Sequence, residues 1–177
     1  MKALIKLGAL LGFIVVAFTI AWIKSHNMSK DYFEHAQQMR AEGNYVIALK
    51  GMNKLELRRN DVYLGGYQQV IETWENTLFG PTPDFYAVAQ KQASDILSHL
   101  TDEELLTFIE IYVELDMRYV PEAALVLLER AHKQSNTELA LEMEEFLEEA
   151  FPRIYADHLA QDGLEYAQKS TMSEDEE

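Results

Sequence analysis

The chain of 177 residues contains no cysteine. That excludes disulfides, zinc–thiolate centres, thiol nucleophiles and a lipidated cysteine anchor. Cations are scarce as well: 15 lysines and arginines stand against 30 acids, a net charge of −15. From residue 60 onward six cations face 26 acids, so phosphate would be repelled and nucleic acid is not an expected partner. Residues 30–59 are mildly basic, with six cations and four acids. That order tolerates an anionic lipid surface near the N-terminal part and keeps the distal part away from it. The sequence also lacks alternating strand patterns, a glycine-rich phosphate loop and a nucleophile elbow.

What is present begins with an uncharged run, Leu7–Ile23, between Lys2/Lys6 and Lys24. As a helix it rises about 25 Å, and the lysine stems extend its reach to the headgroups. Trp22 takes the interfacial position of aromatic anchors. A cleaved signal peptide is the alternative, with Lys2 and Lys6 as its basic region and Thr19-Ile20-Ala21 as its cleavage site. The continuation of the run through Trp22-Ile23-Lys24 favours a retained, single-pass anchor. The short basic N-tail favours that end staying in the cytoplasm, which places the rest on the extracytoplasmic side of a bacterial inner membrane. Gly8 and Gly12 form a small-xxx-small step that lets a partner transmembrane helix approach closely.

The expected organisation is an anchor (1–24), a polar linker (25–29), a helical domain (30–168) and an acidic, disordered tail (169–177). Apolar residues recur at helical spacing from residue 29 onward. The spacing predicts helices over Lys30–Ala41, Tyr45–Arg58, Val62–Phe79, Pro83–Leu100, Asp102–Asp116 and Pro121–Lys133. A seventh is capped by Asn136 or Thr137 and interrupted at Pro152, and an eighth covers Arg153–Gln168. The third carries the clearest stripe: Tyr63, Tyr67, Val70, Ile71, Trp74 and Leu78. Thr101 and Glu104 form a capping box for the fifth.

Two spacings recur. Tyr32-x2-His35-Ala36-x2-Met39, Gly43-Asn44-Tyr45 and Ala48-x3-Met52-x2-Leu55 form one set. Phe108-x2-Ile111-Tyr112-x2-Leu115 followed by Ala124-x3-Leu128-x2-Ala131 repeats the offsets, with a middle copy at Ala89-x3-Ala93-x2-Ile96. This pattern resembles the tetratricopeptide repeat over about Lys30–Ser135; other helical-hairpin arrays are the close alternative. The expected fold is all-α: a transmembrane helix followed by what the resemblance implies, a short right-handed array of about three helical hairpins, with C-terminal capping helices. The resemblance also implies a groove for a peptide or helix of a protein partner. By spacing, Phe33, Gln37, Arg40, Leu64, Gln68, Ile109, Val113 and Asp116 would face that groove.

The chemistry-bearing residues point elsewhere than to catalysis. Glu129-x2-His132 is half of a di-iron carboxylate motif without a second half, and Asp95 with His99 lacks a third convergent ligand. The six glutamates from Glu138 to Glu149 read as a solvated face, with a basic partner or divalent cation as the functional alternative. No catalytic residue, metal site, cofactor or enzymatic activity is expected. The expected role is a membrane-anchored scaffold or adaptor. The alternative is a structural accessory subunit docked in a larger membrane complex through its transmembrane helix.

Overall fold

The computed structural model describes residues 2–52, 62–77 and 80–161, with side chains from Ile5 onward. All regular structure among the described residues is helical. The chain divides into two units, Met1–His99 and Leu100–Glu177.

The first unit is built on α1 (Lys2–Ala41), a single helix of 40 residues. Residues 5–21 are exposed on every side although almost all are apolar, Phe13 being 72% exposed. From Trp22 the pattern changes. Trp22, His26, Ser29, Phe33, Ala36 and Arg40 recur every three or four residues and turn inward. The expected linker at 25–29 is helical, because only one side of that turn has to be satisfied by the fold. The fully buried Ser29 accepts a hydrogen bond from Trp74 Nε1 at 2.9 Å and donates to the His26 carbonyl at 3.1 Å.

Helix α2 (Tyr45–Lys50) is shorter than the expected Tyr45–Arg58. Gly51 ends it with φ of 81°, a left-handed conformation that L side chains resist. Here two chain segments nearly touch: a Cβ on Gly66 would lie 2.5 Å from the Ala48 carbonyl oxygen. This approach holds residues 62–66 out of the helical path, so α3 is Tyr67–Trp74 rather than Val62–Phe79. Gln69 Oε1 accepts the Gly66 N–H at 2.7 Å and starts the helix. Leu55 and Leu78, expected in these helices, lie outside the described residues.

Helix α3 runs antiparallel to α1: Tyr67 meets Phe33 and Gln37, and Trp74 meets Trp22, His26 and Ser29. Helix α4 (Asp84–Ile96) runs parallel to α1, with Phe85 against His26 and Phe33 and Asp95 against Arg40. It passes into a 3-10 turn, Leu97–His99. Ala36, Ala48, Ala89 and Ala93 are all buried where these helices pack.

In the second unit α5 (Asp102–Leu115) begins at the expected capping box. Thr101 Oγ1 accepts the Glu104 N–H at 3.2 Å, and Glu104 Oε2 accepts the Thr101 N–H at 2.8 Å. Helix α6 (Val120–Gln134) returns antiparallel, since Arg130 near its end donates to the Leu100 carbonyl and to Asp102, at 2.7 and 2.8 Å. Asn136 caps α7 (Thr137–Ala150) by accepting the Leu139 N–H. Pro152 opens α8 (152–161), where a proline in the first turn forfeits no helical hydrogen bond. Leu105, Phe108, Leu127 and Leu147 are buried, with Ala124 and Ala131 among them. Residues 162–168 of the expected last helix and the tail 169–177 lie outside the described residues.

Candidate functional site at the Trp22 end of the first unit

The apolar part of α1 is long enough to cross a membrane, and what packs around Trp22 defines how it enters the fold. The indole of Trp22 stacks on His26 at 5.2 Å and meets Trp74 edge-on at 5.9 Å. Its Nε1 donates to the Pro81 carbonyl at 3.2 Å. Gly80, at φ of 99°, lies beneath the ring, where a Cβ would come within 3.3 Å of the indole. Phe85 continues the cluster through His26. The apolar run is therefore fastened to the first unit through Trp22. A tryptophan followed four residues later by histidine, with a Gly-Pro loop downstream, was the available sequence signal. The pairing across about sixty residues was not.

The eight residues assigned to a groove take varied positions. In the first unit, Phe33 stacks on Phe85 at 5.4 Å and Gln37 accepts the Tyr67 hydroxyl at 3.1 Å. Both serve contacts within the unit. Arg40 donates to Asp95 at 2.9 Å. Leu64 is half-buried ahead of α3, not on it, and its carbonyl accepts the Met52 N–H. Gln68 is buried and donates to Glu72 at 2.6 Å. In the second unit Ile109 is buried, Val113 is half-buried, and Asp116 ends α5 and accepts the Arg118 N–H. Gln68 and Ile109 therefore have no open surface to offer a partner, because each lies on the inward side of its helix. Gly8 and Gly12 lie on the exposed part of α1, with open space where a Cβ would project.

Electrostatics in the first unit centre on Asp95. The hydrogen bond from His99 at 3.1 Å, with Arg40 beside it, holds its carboxyl below the usual carboxylate range. Tyr45 stacks over His99 at 5.2 Å. Burial lowers His35, partly opposed by Glu42, and its Nε2 is enclosed without a hydrogen-bond partner. Burial pushes the Tyr67 hydroxyl up to about 12, with Arg40 pulling the other way. In the second unit the Thr101 N–H lowers Glu104.

The residues considered as metal ligands are engaged otherwise. Glu129 pairs with Lys133 at 2.6 Å and His132 with Glu144 at 3.3 Å. Among the described residues no group of three or more His, Asp or Glu side chains is arranged to hold a metal ion. No protein-family model, curated protein or solved structure matches the chain.

Proposed function

We propose that the protein is a membrane-anchored helical scaffold that presents a protein-binding surface from a bacterial inner membrane, with residues 7–23 spanning it and the helical units on the extracytoplasmic side. The observation that carries this reading is the single helix Lys2–Ala41. Because the helix is continuous, the first unit and the apolar run move as one piece. Tethering of this kind raises the local concentration of a partner and restricts its geometry.

Buried alanines at helix contacts in both units, Ala36 and Ala48 in one and Ala124 and Ala131 in the other, support a tetratricopeptide-like construction. The partner surface we favour is the end of α5. There Ile111, Leu115 and Met117 are 47%, 70% and 57% exposed, beside Val113 and Asp116 of the expected groove. Large apolar side chains gathered in one short segment suit a protein or peptide contact. An accessory-subunit role is the second reading, favoured by the open Gly8–Gly12 step.

The test is to exchange residues 5–19 for an unrelated apolar helix, leaving Trp22 and all that follows intact, and to identify proteins captured from gently solubilised membranes. The same partners captured after the exchange support the scaffold. Their loss identifies the anchor as the docking element.

A further inference from the structure

On the side of α1 away from Pro81, a groove of ≈ 650 Å³ runs between the helix and residues 62–64. Ile20 and Ile23 of the apolar run line it, and Val62 adds a further exposed apolar side chain to the lining. These three are 62%, 49% and 78% exposed. Farther along, the groove carries two charges, Lys24 first and then Asp31, with Asn27 and Met28 between them. Tyr32 and Tyr63, packed edge-on at 5.9 Å, also line it and set its width.

The level of this groove follows from α1. With the hydrocarbon boundary at Ile23 and Lys24, seven residues of helix raise the Asp31 Cα about 10 Å above it, and its side chain leans back toward the bilayer because helical side chains tilt to the N-terminus. The polar layer of one leaflet is roughly 5–8 Å thick. The groove thus starts in the acyl chains and passes through the headgroup layer. Its charges are ordered, cation inside and anion outside. A zwitterionic phospholipid has the complementary order, with phosphate next to the glycerol and ammonium outermost. An apolar partner helix would cover Lys24 and Asp31 without pairing them, and an anionic lipid would gain nothing from Asp31.

We propose that this groove binds a zwitterionic phospholipid of the adjoining leaflet. Its acyl chain lies on Ile20, Ile23 and Val62, its phosphate meets Lys24 and its ammonium faces Asp31. The site seats the first unit on the bilayer and fixes which side of α1 faces the membrane surface. The inference rests on the membrane-spanning reading of residues 7–23, and its test separates the two.

The cysteine-free chain allows single labels in the full-length protein. Val62→Cys, Ile14→Cys and Gln38→Cys each receive a bimane fluorophore, in phosphatidylcholine vesicles with chains brominated near the carbonyl end. Quenching is expected at positions 62 and 14 and not at 38, which α1 carries about 22 Å beyond Ile23. Reversing the rim with Lys24→Asp and Asp31→Lys should lower quenching at 62 and leave 14 unchanged. Quenching at 14 without quenching at 62 overturns the lipid site and leaves the anchor standing. Absence of quenching at both overturns the anchor as well. Quenching at 62 unmoved by the reversal overturns the headgroup assignment. A label at 62 shielded only as protein concentration rises points to a second copy and also overturns it.

Discussion

Replacing Ser29 by alanine tests the joint between α1 and the fold at its most enclosed point. Ser29 is fully buried and Trp74 is 3% exposed, so water cannot take over the indole N–H that Ser29 Oγ accepts at 2.9 Å. Leaving that donor unpaired costs about 1–3 kcal/mol. Alanine recovers about 0.5 kcal/mol through its better helix propensity, which leaves a net loss of about 0.5–2.5 kcal/mol. Both tryptophans, Trp22 and Trp74, lie in this cluster, so urea unfolding in detergent followed by intrinsic fluorescence reports on it directly. With a urea slope of about 2 kcal/mol/M, the midpoint should fall by roughly 0.25–1.25 M. The same change in a Trp74→Phe background should be neutral or slightly stabilising, because the orphaned donor is gone. An equal loss in both backgrounds would refute the reasoning, since the cost would then lie in packing around residue 29.

Other expectations follow from the same geometry. Gly66→Ala should lower stability by at least about 1–3 kcal/mol, because its Cβ would press on the Ala48 carbonyl at 2.5 Å; an unchanged unfolding midpoint would contradict the close approach. Leu115→Glu should abolish partner capture while leaving the thermal midpoint within about 0.5 kcal/mol of wild type, and undiminished capture would move the partner surface elsewhere. Burial holds His35 below its ordinary value of 6.5, so the unfolded chain binds this proton more readily. Stability should therefore fall as pH drops through 6.5 toward the lowered value, and His35→Asn should remove that part of the slope; an unaltered slope would exclude His35 as its source. Asp95, held low by His99 and then Arg40, contributes stability above the ordinary aspartate range that is lost as pH falls through its lowered value. Asp95→Asn should flatten that acid limb.

What could be read from the chain was whatever is decided locally. The capping box at Thr101 and Glu104, the cap at Asn136 and the extents of α5, α6 and α7 depend on residues within four positions of one another. The apolar run was legible for the same reason. The helical linker was not, because Ser25, His26 and Ser29 look polar in one dimension. His26 and Ser29 join a packed stripe only through Phe85 and Trp74, some 45 to 60 residues away. The ends of α2 and α3 were legible in principle: Gly51 and the Gly65–Gly66 pair are strong punctuation, but the apolar stripe through Tyr63 outweighed them. Carrying groove positions over by repeat spacing assumed a regular first helix in every copy. Leu64 lies outside α3 because the crossing at Gly66 displaces it.

The central claim is that one uninterrupted helix carries the membrane span into the first unit. It is tested most directly by a distance between spin labels at Ile14→Cys and Gln38→Cys in full-length protein reconstituted in lipid nanodiscs. Twenty-four residues of helix set the backbone separation at about 36 Å, and a single narrow distribution near that value is expected. A broad distribution, or one centred well below it, would place a break in the helix between the two labels and contradict the claim.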